Sequence, residues 1–198
     1  MPRDDFCDAG VGDDHFYLVA IDPGTHMLGL SIFELTPDLK IADVYAETIC
    51  ADSLSEVQLM GTTDGALLCR LAALQTALTK VYMQYHPHYV VHEGAFIHMK
   101  QPAAHAALSR VVQMIVGTAV VVLHQVEIDS IAPMEAKRAI KAEKYVGKDP
   151  MRAAISIHPE LSTLVNVSQL DEHAIDAVAI GYTKLLKLRT DYQSYLDR

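Results

Sequence analysis

The sequence has little cysteine and no tryptophan, and its few cysteines lie far apart. Its 198 residues include only Cys7, Cys50 and Cys69, with no C-x-x-C pair among them. This spacing excludes a disulfide framework and indicates no thiolate zinc site. The scarcity of cysteine favours a reducing, intracellular compartment, and we predict a cytoplasmic protein.

The sequence also lacks a long hydrophobic run and a secretory signal. The nearest candidate for a membrane span, residues 111–123, is too short and is interrupted by a glutamine, a glycine and a threonine. The first fourteen residues hold five aspartates against one arginine and no apolar stretch, so they do not form a signal peptide. We therefore expect no membrane partner, a flexible acidic arm over residues 1–15 and a single domain over residues 16–198.

Positive charge is scarce overall but concentrated in one place. Lysine and arginine number 16 against 25 aspartates and glutamates, which gives a formal net charge of −9. Such a field repels phosphates and argues against indiscriminate binding to nucleic acid. Residues 137–152, however, hold six basic residues against two acidic ones, which leaves a local charge of +4. If the protein binds nucleic acid, we expect it to do so through this focused patch, with marked salt sensitivity.

Short apolar runs and helical periodicity alternate along the chain. The predicted strands cover residues 16–22, 28–35, 41–48, 89–92 and 126–131. The predicted helices cover residues 63–85, 102–125, 133–144, 150–158 and 171–188. This order predicts an α/β fold with a mixed five-stranded sheet flanked by helices, its first three strands forming an antiparallel meander. Helix 102–125 carries almost no charge, so we expect it to be buried on most of its circumference.

Two carboxylates follow apolar strands directly. Asp22 ends the first predicted strand and precedes Pro23 and Gly24, and Glu93 follows strand 89–92 and precedes a glycine. The alternative for Asp22 alone is an ordinary turn with a side-chain cap. Two acids at two strand ends favour a functional site, because each carboxylate would emerge from the edge of the sheet.

A third acidic group opens the last predicted helix. His173 and Glu172 lie three and four residues before Asp176, so either could share a helix face with it. Acids that favour the helix dipole would explain Asp171 and Glu172. They would not explain Asp176, which lies beyond the first turn among apolar residues and needs a partner there.

Carboxylate oxygens in this number suit Mg²⁺ or Mn²⁺ better than zinc. Carboxylates that bridge two such ions are typical of in-line attack by water on a phosphodiester. The histidines show no recognised zinc-ligand spacing, and the glycines after Asp22 lack the lysine and hydroxyl residue of a P-loop.

Four segments of the sequence resemble the RuvC family of Holliday junction resolvases, which have an RNase H-like fold. The segments, which span about residues 16–185, are VAIDPGTHMLGLSIFE, VVHEGAFIHMKQPAAHAALSR, APMEAKRAIKAEKYVGKDPM and HAIDAVAIGY. The resemblance implies a metal-dependent endonuclease that resolves four-way DNA junctions as a homodimer. Helix 102–125 is a candidate dimer surface, because the core of one small domain cannot readily cover every side of an uncharged helix. No motif indicates a partner protein such as a recombination helicase.

The resemblance also assigns roles to individual residues. Two Mg²⁺ or Mn²⁺ ions per active site would be held by Asp22, Glu93, His173 and Asp176. Lys148 would neutralise the scissile phosphate, and Phe96 would stack on a base in the opened junction. The expected DNA-binding residues are Phe96, Lys137, Arg138, Lys141, Lys144 and Lys148.

The chain departs from the family pattern in two places. His173 stands where the family usually has an acid, and because imidazole can bind a metal or transfer a proton we expect it to be functional, with Glu172 as the alternative ligand. A glycine-rich turn is replaced by residues 142–147, which changes the DNA-facing loop. Two alternatives stay open: another nuclease of this fold that acts on structured RNA or branched DNA, and a junction-binding protein that does not cut.

Overall fold

The computed structural model describes residues 15–54, 63–94, 102–145 and 149–197. The strands are β1 (Phe16–Asp22), β2 (Met27–Leu35), β3 (Ile41–Cys50), β4 (Tyr89–Glu93) and β5 (Glu127–Ile131). The helices are α1 (Ala51–Leu54), α2 (Thr63–Tyr85), α3 (Pro102–Val122), α4 (Pro133–Ala139), α5 (Pro150–Ser156) and α6 (Glu172–Leu196). Residues 1–14, nearly all of the predicted acidic arm, lie outside the described residues, and His15 contacts the carboxylate of Glu34 on β2.

The five strands form one mixed sheet in the order β3-β2-β1-β4-β5. Strands β1, β2 and β3 pair antiparallel as a meander, whereas β4 lies parallel to β1 and β5 lies parallel to β4. The predicted α/β fold is therefore confirmed, including its first three strands. Because parallel strands end at the same edge of a sheet, the carboxyl ends of β1 and β4 lie side by side.

The two faces of the sheet are covered by different helices. Side chains alternate along β1, so that Leu18 and Ala20 belong to the core beneath α6, while Val19 and Ile21 belong to the core beneath α2 and α3. All four are fully buried. This alternation places Asp22, the next residue in the α6 series, on the α6 face of the sheet.

Helix α6 lies unusually close to β2. A Cβ added to Gly181 would lie 2.3 Å from a ring carbon of Phe33, and one added to Gly29 would lie 2.0 Å from the carbonyl oxygen of His173. Between these two contacts, the hydroxyl of Ser31 donates a buried hydrogen bond of 2.9 Å to the carbonyl of Ala177. These three contacts set the position of α6 along β2 and its rotation about its own axis.

The far end of α6 is held by ion pairs. Arg189 donates to both carboxylate oxygens of Glu160, at 3.1 and 2.7 Å, and its Nε donates to the carbonyl of Leu39 at 2.9 Å. Lys184, which is 4% exposed, donates to Glu127 at 2.5 Å and to Asp129 at 3.4 Å on β5. These bonds hold the middle and the far end of α6 on the domain, while its first turn lies at the edge of the sheet.

Helix α3 is buried on one face only. The prediction that it is buried on most of its circumference is wrong. Among its described side chains only Val111, Ile115, Thr118 and Ala119 are buried, whereas Val121 is 77% exposed. By length and composition alone, residues Ala103–Val122 could also cross a membrane. Their buried face, however, packs with α2 into the core on the sheet, as the core helix of an α/β domain does.

The helix predicted over residues 133–144 is also interrupted. Helix α4 ends at Ala139, Lys141 adopts the left-handed conformation with φ 60°, and a short 3₁₀ turn follows at Ala142–Lys144. Left-handed residues that end helices are usually glycine or asparagine, so a break at a lysine could not be predicted from the residue type. Because of this break, residues 142–144 do not continue along the axis of α4.

Candidate active site

Asp22 and Glu93 lie next to each other at the carboxyl edge of the sheet. In the parallel pairing of β1 with β4, Ile21 stands opposite His92, so Asp22 and Glu93 are the next residues in register. Both follow core residues of the α6 face, since Ala20 and Val91 belong to that core. Asp22 is 8% exposed and Glu93 is half-buried. The strand order thus brings together the two acids that the sequence placed at strand ends.

The first turn of α6 lies against this edge, on the face of the sheet that α6 covers. Asp171 caps the helix by accepting a 3.1 Å hydrogen bond from the amide of Ala174, and it accepts a second hydrogen bond from the hydroxyl of Thr48 on β3. The Nδ1 atom of His173 lies 2.8 Å from Oδ2 of Asp22. Gly29 permits this approach, because any side chain there would meet the backbone of His173.

The three carboxylates share one partly buried pocket. Burial, followed by the charges of Asp22 and Asp176, raises the pKa of Glu93 to about 7. Burial, followed by the charge of Asp22, raises the pKa of Asp176 to about 6. Burial also raises the pKa of Asp22, although the hydrogen bond and charge of His173 oppose that shift. Like charges held together in this way favour a proton or a cation between them.

His173 responds in the opposite sense to its surroundings. Burial alone would lower the pKa of its imidazole, but the hydrogen bond and charge of Asp22, together with Asp171 and Glu172, raise it on balance. The imidazole therefore forms a charge-assisted pair with Asp22. Glu172, the alternative ligand, is exposed on the same turn.

The donor set fits hard divalent cations such as Mg²⁺ or Mn²⁺, which take carboxylate oxygens and are drawn to uncompensated negative charge. Asp22, Glu93 and Asp176 would hold such ions, with His173 either as a further ligand or as the partner that orients Asp22. Within residues 15–54, 63–94, 102–145 and 149–197, no three histidine, cysteine or acidic side chains already stand at metal-ligand spacing. Side-chain rotation at the pocket would therefore accompany binding.

The predicted basic residues divide between two surfaces. Lys137 lines an open groove of about 670 Å³ together with His173 and Asp176, and its charge lowers the pKa of both Glu93 and Asp176. Arg138 instead lines a separate groove between α4 and α6, beside Lys187. Lys141 and Lys144 are exposed beyond the end of α4. Phe96 and Lys148 lie outside the described residues.

Some residues that shape the site were not singled out from the sequence. Asp149 caps α5 by accepting a hydrogen bond from the amide of Arg152 at 2.9 Å. Both residues line the groove that contains Lys137, His173 and Asp176, which we call the acidic groove. An aspartate directly before a proline is a recognisable helix start, so this cap could have been predicted. Thr48 could not, because its bond to Asp171 joins residues 123 positions apart.

No family model and no curated protein matches this chain. Solved structures do. A Thermus thermophilus RuvC in complex with a Holliday junction substrate is 19% identical, with a TM-score of 0.65 over 89% of this chain and 97% of that one. A second T. thermophilus RuvC structure is 17% identical, covers the same shares and has a TM-score of 0.64. The yeast mitochondrial Holliday junction resolvase Ydc2 is 12% identical, with a TM-score of 0.57 over 90% of this chain and 83% of that one.

The chain has a RuvC-like fold. At these identities the likeness establishes the architecture, namely a mixed sheet of five strands with helices on both faces. The assignment of metal ligands and DNA-binding residues within the RuvC-like fold stays a prediction that rests on the geometry of the acidic pocket.

The acidic pocket makes stability depend on pH in a specific direction. The pKa values of Asp22, Glu93 and Asp176 are raised in the folded state, so the folded protein binds more protons than the unfolded chain between about pH 4 and pH 7. Stability from these groups is present below their unfolded pKa values and is lost as the pH rises through their folded ones. In EDTA, we expect the free energy of unfolding to fall as the pH rises from about 4 to about 7.

Glu93→Gln tests this sign, because an amide cannot ionise. We expect the variant to show a flatter pH profile and, in EDTA at about pH 8, to be more stable than the wild type by about 1 kcal/mol after screening by solvent. Urea unfolding of both proteins at several pH values measures the difference. Parallel profiles for the two proteins would contradict a raised pKa for Glu93 in the folded state.

Proposed function

We propose that this chain is a divalent-metal-dependent endonuclease that resolves four-way DNA junctions. The observation that carries the proposal is the group of acids at the carboxyl edge of a RuvC-like sheet, where Asp22 and Glu93 end adjacent parallel strands and where burial and the charge of Asp22 raise the pKa values of Glu93 and Asp176. A purely structural acid has no reason to be buried beside two others. Repulsive carboxylates are typical of sites that gain their counter-charge from a bound cation or substrate.

Each residue of the pocket has a distinct task in this proposal. When bound, two Mg²⁺ ions would supply an activated water and stabilisation of the leaving oxygen at the phosphodiester. Asp22, Glu93 and Asp176 hold the ions. His173 fixes the orientation of the Asp22 carboxylate through its 2.8 Å bond and is placed to hold a proton. Lys137 adds positive charge at the mouth of the groove, where a phosphate would arrive.

Branched DNA is the substrate that we favour. The similar structures include a RuvC in complex with a Holliday junction substrate and a mitochondrial Holliday junction resolvase. Lys137 lines the groove with Asp176 and offers a phosphate contact there, and Lys141 and Lys144 are exposed further along the same segment. The stacking role of Phe96 and the phosphate role of Lys148 rest on the sequence resemblance.

Cleavage of matched substrates with and without Mg²⁺ tests the proposal. We expect paired, symmetrically placed nicks in a synthetic four-way junction, and much less cleavage of duplex or flap DNA. EDTA should abolish the nicking. Preferential cleavage of structured RNA would instead identify another nuclease of this fold. Binding of the junction without cleavage under any divalent metal would identify a non-cleaving junction protein.

We further propose that the enzyme is a homodimer and that α3 forms its interface. Val120 and Val121, near the end of this helix, are 60% and 77% exposed, which is unusual for neighbouring apolar residues on a monomer. We expect sedimentation of the wild type at micromolar concentration to show a dimer and Val121→Glu to show a monomer that makes unpaired nicks.

Ile157→Glu is the matched control for the dimer proposal, because Ile157 is 64% exposed but lies just after α5, away from α3. It should remain a dimer. A monomeric wild type would refute the proposed assembly.

A further inference from the structure

Arg152 joins the start of α5 to the segment that precedes α6. Its Nε donates to Oδ2 of Asp149 at 2.7 Å, one terminal nitrogen donates to the carbonyl of Leu170 at 2.8 Å, and the other donates to the carbonyl of Val167. All three guanidinium nitrogens are thus engaged by the protein itself. Three of its five N–H groups are used within the protein, which leaves few donors for a DNA phosphate although the side chain is 32% exposed.

The carbonyls that Arg152 binds belong to the segment that leads into α6. Leu170 directly precedes Asp171, the cap of α6, and His173 and Asp176 follow within two turns. On the opposite side, the same helix start is held by the hydroxyl of Thr48 on Asp171 and by the close contact of His173 with Gly29. Thr48 and Gly29 hold the start of α6 from the sheet, and Arg152 holds the preceding segment from α5.

Asp149 connects this arrangement to the basic loop. Its carboxylate accepts from both the backbone amide and the Nε of Arg152, and it lies in the groove beside Lys137 and Asp176. Asp149 is also the first described residue after the segment that contains Lys148. Arg152 therefore ties Asp149, at the start of α5, to the segment that leads into the helix carrying His173 and Asp176.

We propose that Arg152 is a positioning residue that holds the start of α6 in register with β1 and β4, so that the side chains of His173 and Asp176 can close with those of Asp22 and Glu93 around a cation. The inference rests on the proposed metal site but does not require that the substrate be a DNA junction. A lysine cannot replace Arg152, because its single ammonium cannot reach a carboxylate and two carbonyls in the same fixed plane.

Arg189 provides a matched control at the other end of the same helix. Its side chain is 27% exposed, it is paired with a carboxylate, and it also donates to a backbone carbonyl. Loss of either arginine should destabilise α6 comparably. Only loss of Arg152 should disturb the acidic pocket.

The experiment compares Arg152→Lys, Arg152→Gln, Arg189→Lys and Arg189→Gln with the wild type. Mn²⁺ affinity is measured by electron paramagnetic resonance without DNA, junction affinity by electrophoretic shift in Ca²⁺, and stability by thermal unfolding. We expect both Arg152 variants to weaken Mn²⁺ binding by about 10-fold, the lower end of the effect of removing a group that hydrogen-bonds a metal ligand, because Arg152 acts through the backbone before α6. Junction affinity should stay unchanged. The Arg189 variants should lower the melting temperature and leave Mn²⁺ affinity unchanged.

Several results would overturn the inference. They are wild-type affinity for Mn²⁺ in Arg152→Lys, an equal loss of affinity in the Arg189 variants, a fall in junction affinity that accounts for the whole defect, or a wild type that binds no Mn²⁺. Arg152→Lys keeps the charge, so it remains informative if Arg152→Gln fails to fold. Normal Mn²⁺ binding by a wild type that cuts no junction would refute the proposed substrate and leave the positioning role testable.

Discussion

Asp22→Asn and Glu93→Gln should each abolish Mg²⁺-dependent nicking and leave junction binding intact. Both amides keep the size of the acid but lose the negative charge that a divalent cation requires. We expect the nicking rate to fall by about 10³-fold or more, which corresponds to about 4 kcal/mol of transition-state stabilisation. Single-turnover cleavage of a labelled four-way junction measures the rate, and an electrophoretic shift in Ca²⁺ measures binding.

Two substitutions of exposed acids on α6 accompany that experiment, one as a control and one as a test of the alternative ligand. Asp191→Asn, at an exposed position near the end of the helix, is the control and should nick like the wild type. Glu172→Gln tests the alternative ligand. Because Glu172 is exposed while His173 bonds to Asp22, we expect a change of less than about threefold for Glu172→Gln. Unchanged nicking by Asp22→Asn would refute the assignment of the active site.

Gly29→Ala should damage both stability and activity although it adds a single methyl group. That methyl would lie 2.0 Å from the carbonyl oxygen and 2.5 Å from the carbonyl carbon of His173, and a helix backbone cannot rotate out of the way as a side chain can. Helix α6 must move off β2. We expect a loss of about 3 kcal/mol in the free energy of unfolding and about 10²-fold in nicking, because His173 and Asp176 move with the helix.

Gly181→Ala separates the two effects. It overpacks the same interface two turns further along α6, where the added methyl meets the ring of Phe33 at 2.3 Å. The ring can shift, so we expect a loss of about 1 to 3 kcal/mol in stability with nicking reduced much less than in Gly29→Ala. Urea unfolding and cleavage rates of the two variants make the comparison. If both lost activity in proportion to stability, Gly29 would have no special role at the site.

Local pattern was enough to predict most of the architecture. The three- and four-residue periodicity of apolar residues predicted a helix over residues 63–85, which are the bounds of α2. The short apolar runs predicted all five strands to within two residues at each end. Asp22 and Glu93 were predicted as site residues because each follows an apolar run, and the parallel pairing of β1 with β4 brings these two strand ends together.

Features that depend on a distant partner could not be predicted. The hydropathy of α3 indicated burial, but whether Val121 is covered depends on which surface lies opposite it, and within the described chain nothing does. Arg152 looked like one more member of a basic patch until the backbone carbonyls of Val167 and Leu170 came into reach. The break at Lys141 lacks the glycine that usually announces a left-handed residue.

The order in which the chain is synthesised separates the two halves of the acidic pocket. Asp22 and His173 lie 151 positions apart, whereas the β1–β2–β3 meander joins strands that are neighbours in sequence and can pair early on the ribosome. Helix α6 can dock on that meander only after its buried residues, which extend to Leu188, have been translated. On the proposed function, a nascent or truncated chain would therefore fold much of its sheet and still be unable to cut DNA, and cleavage competence would arise last.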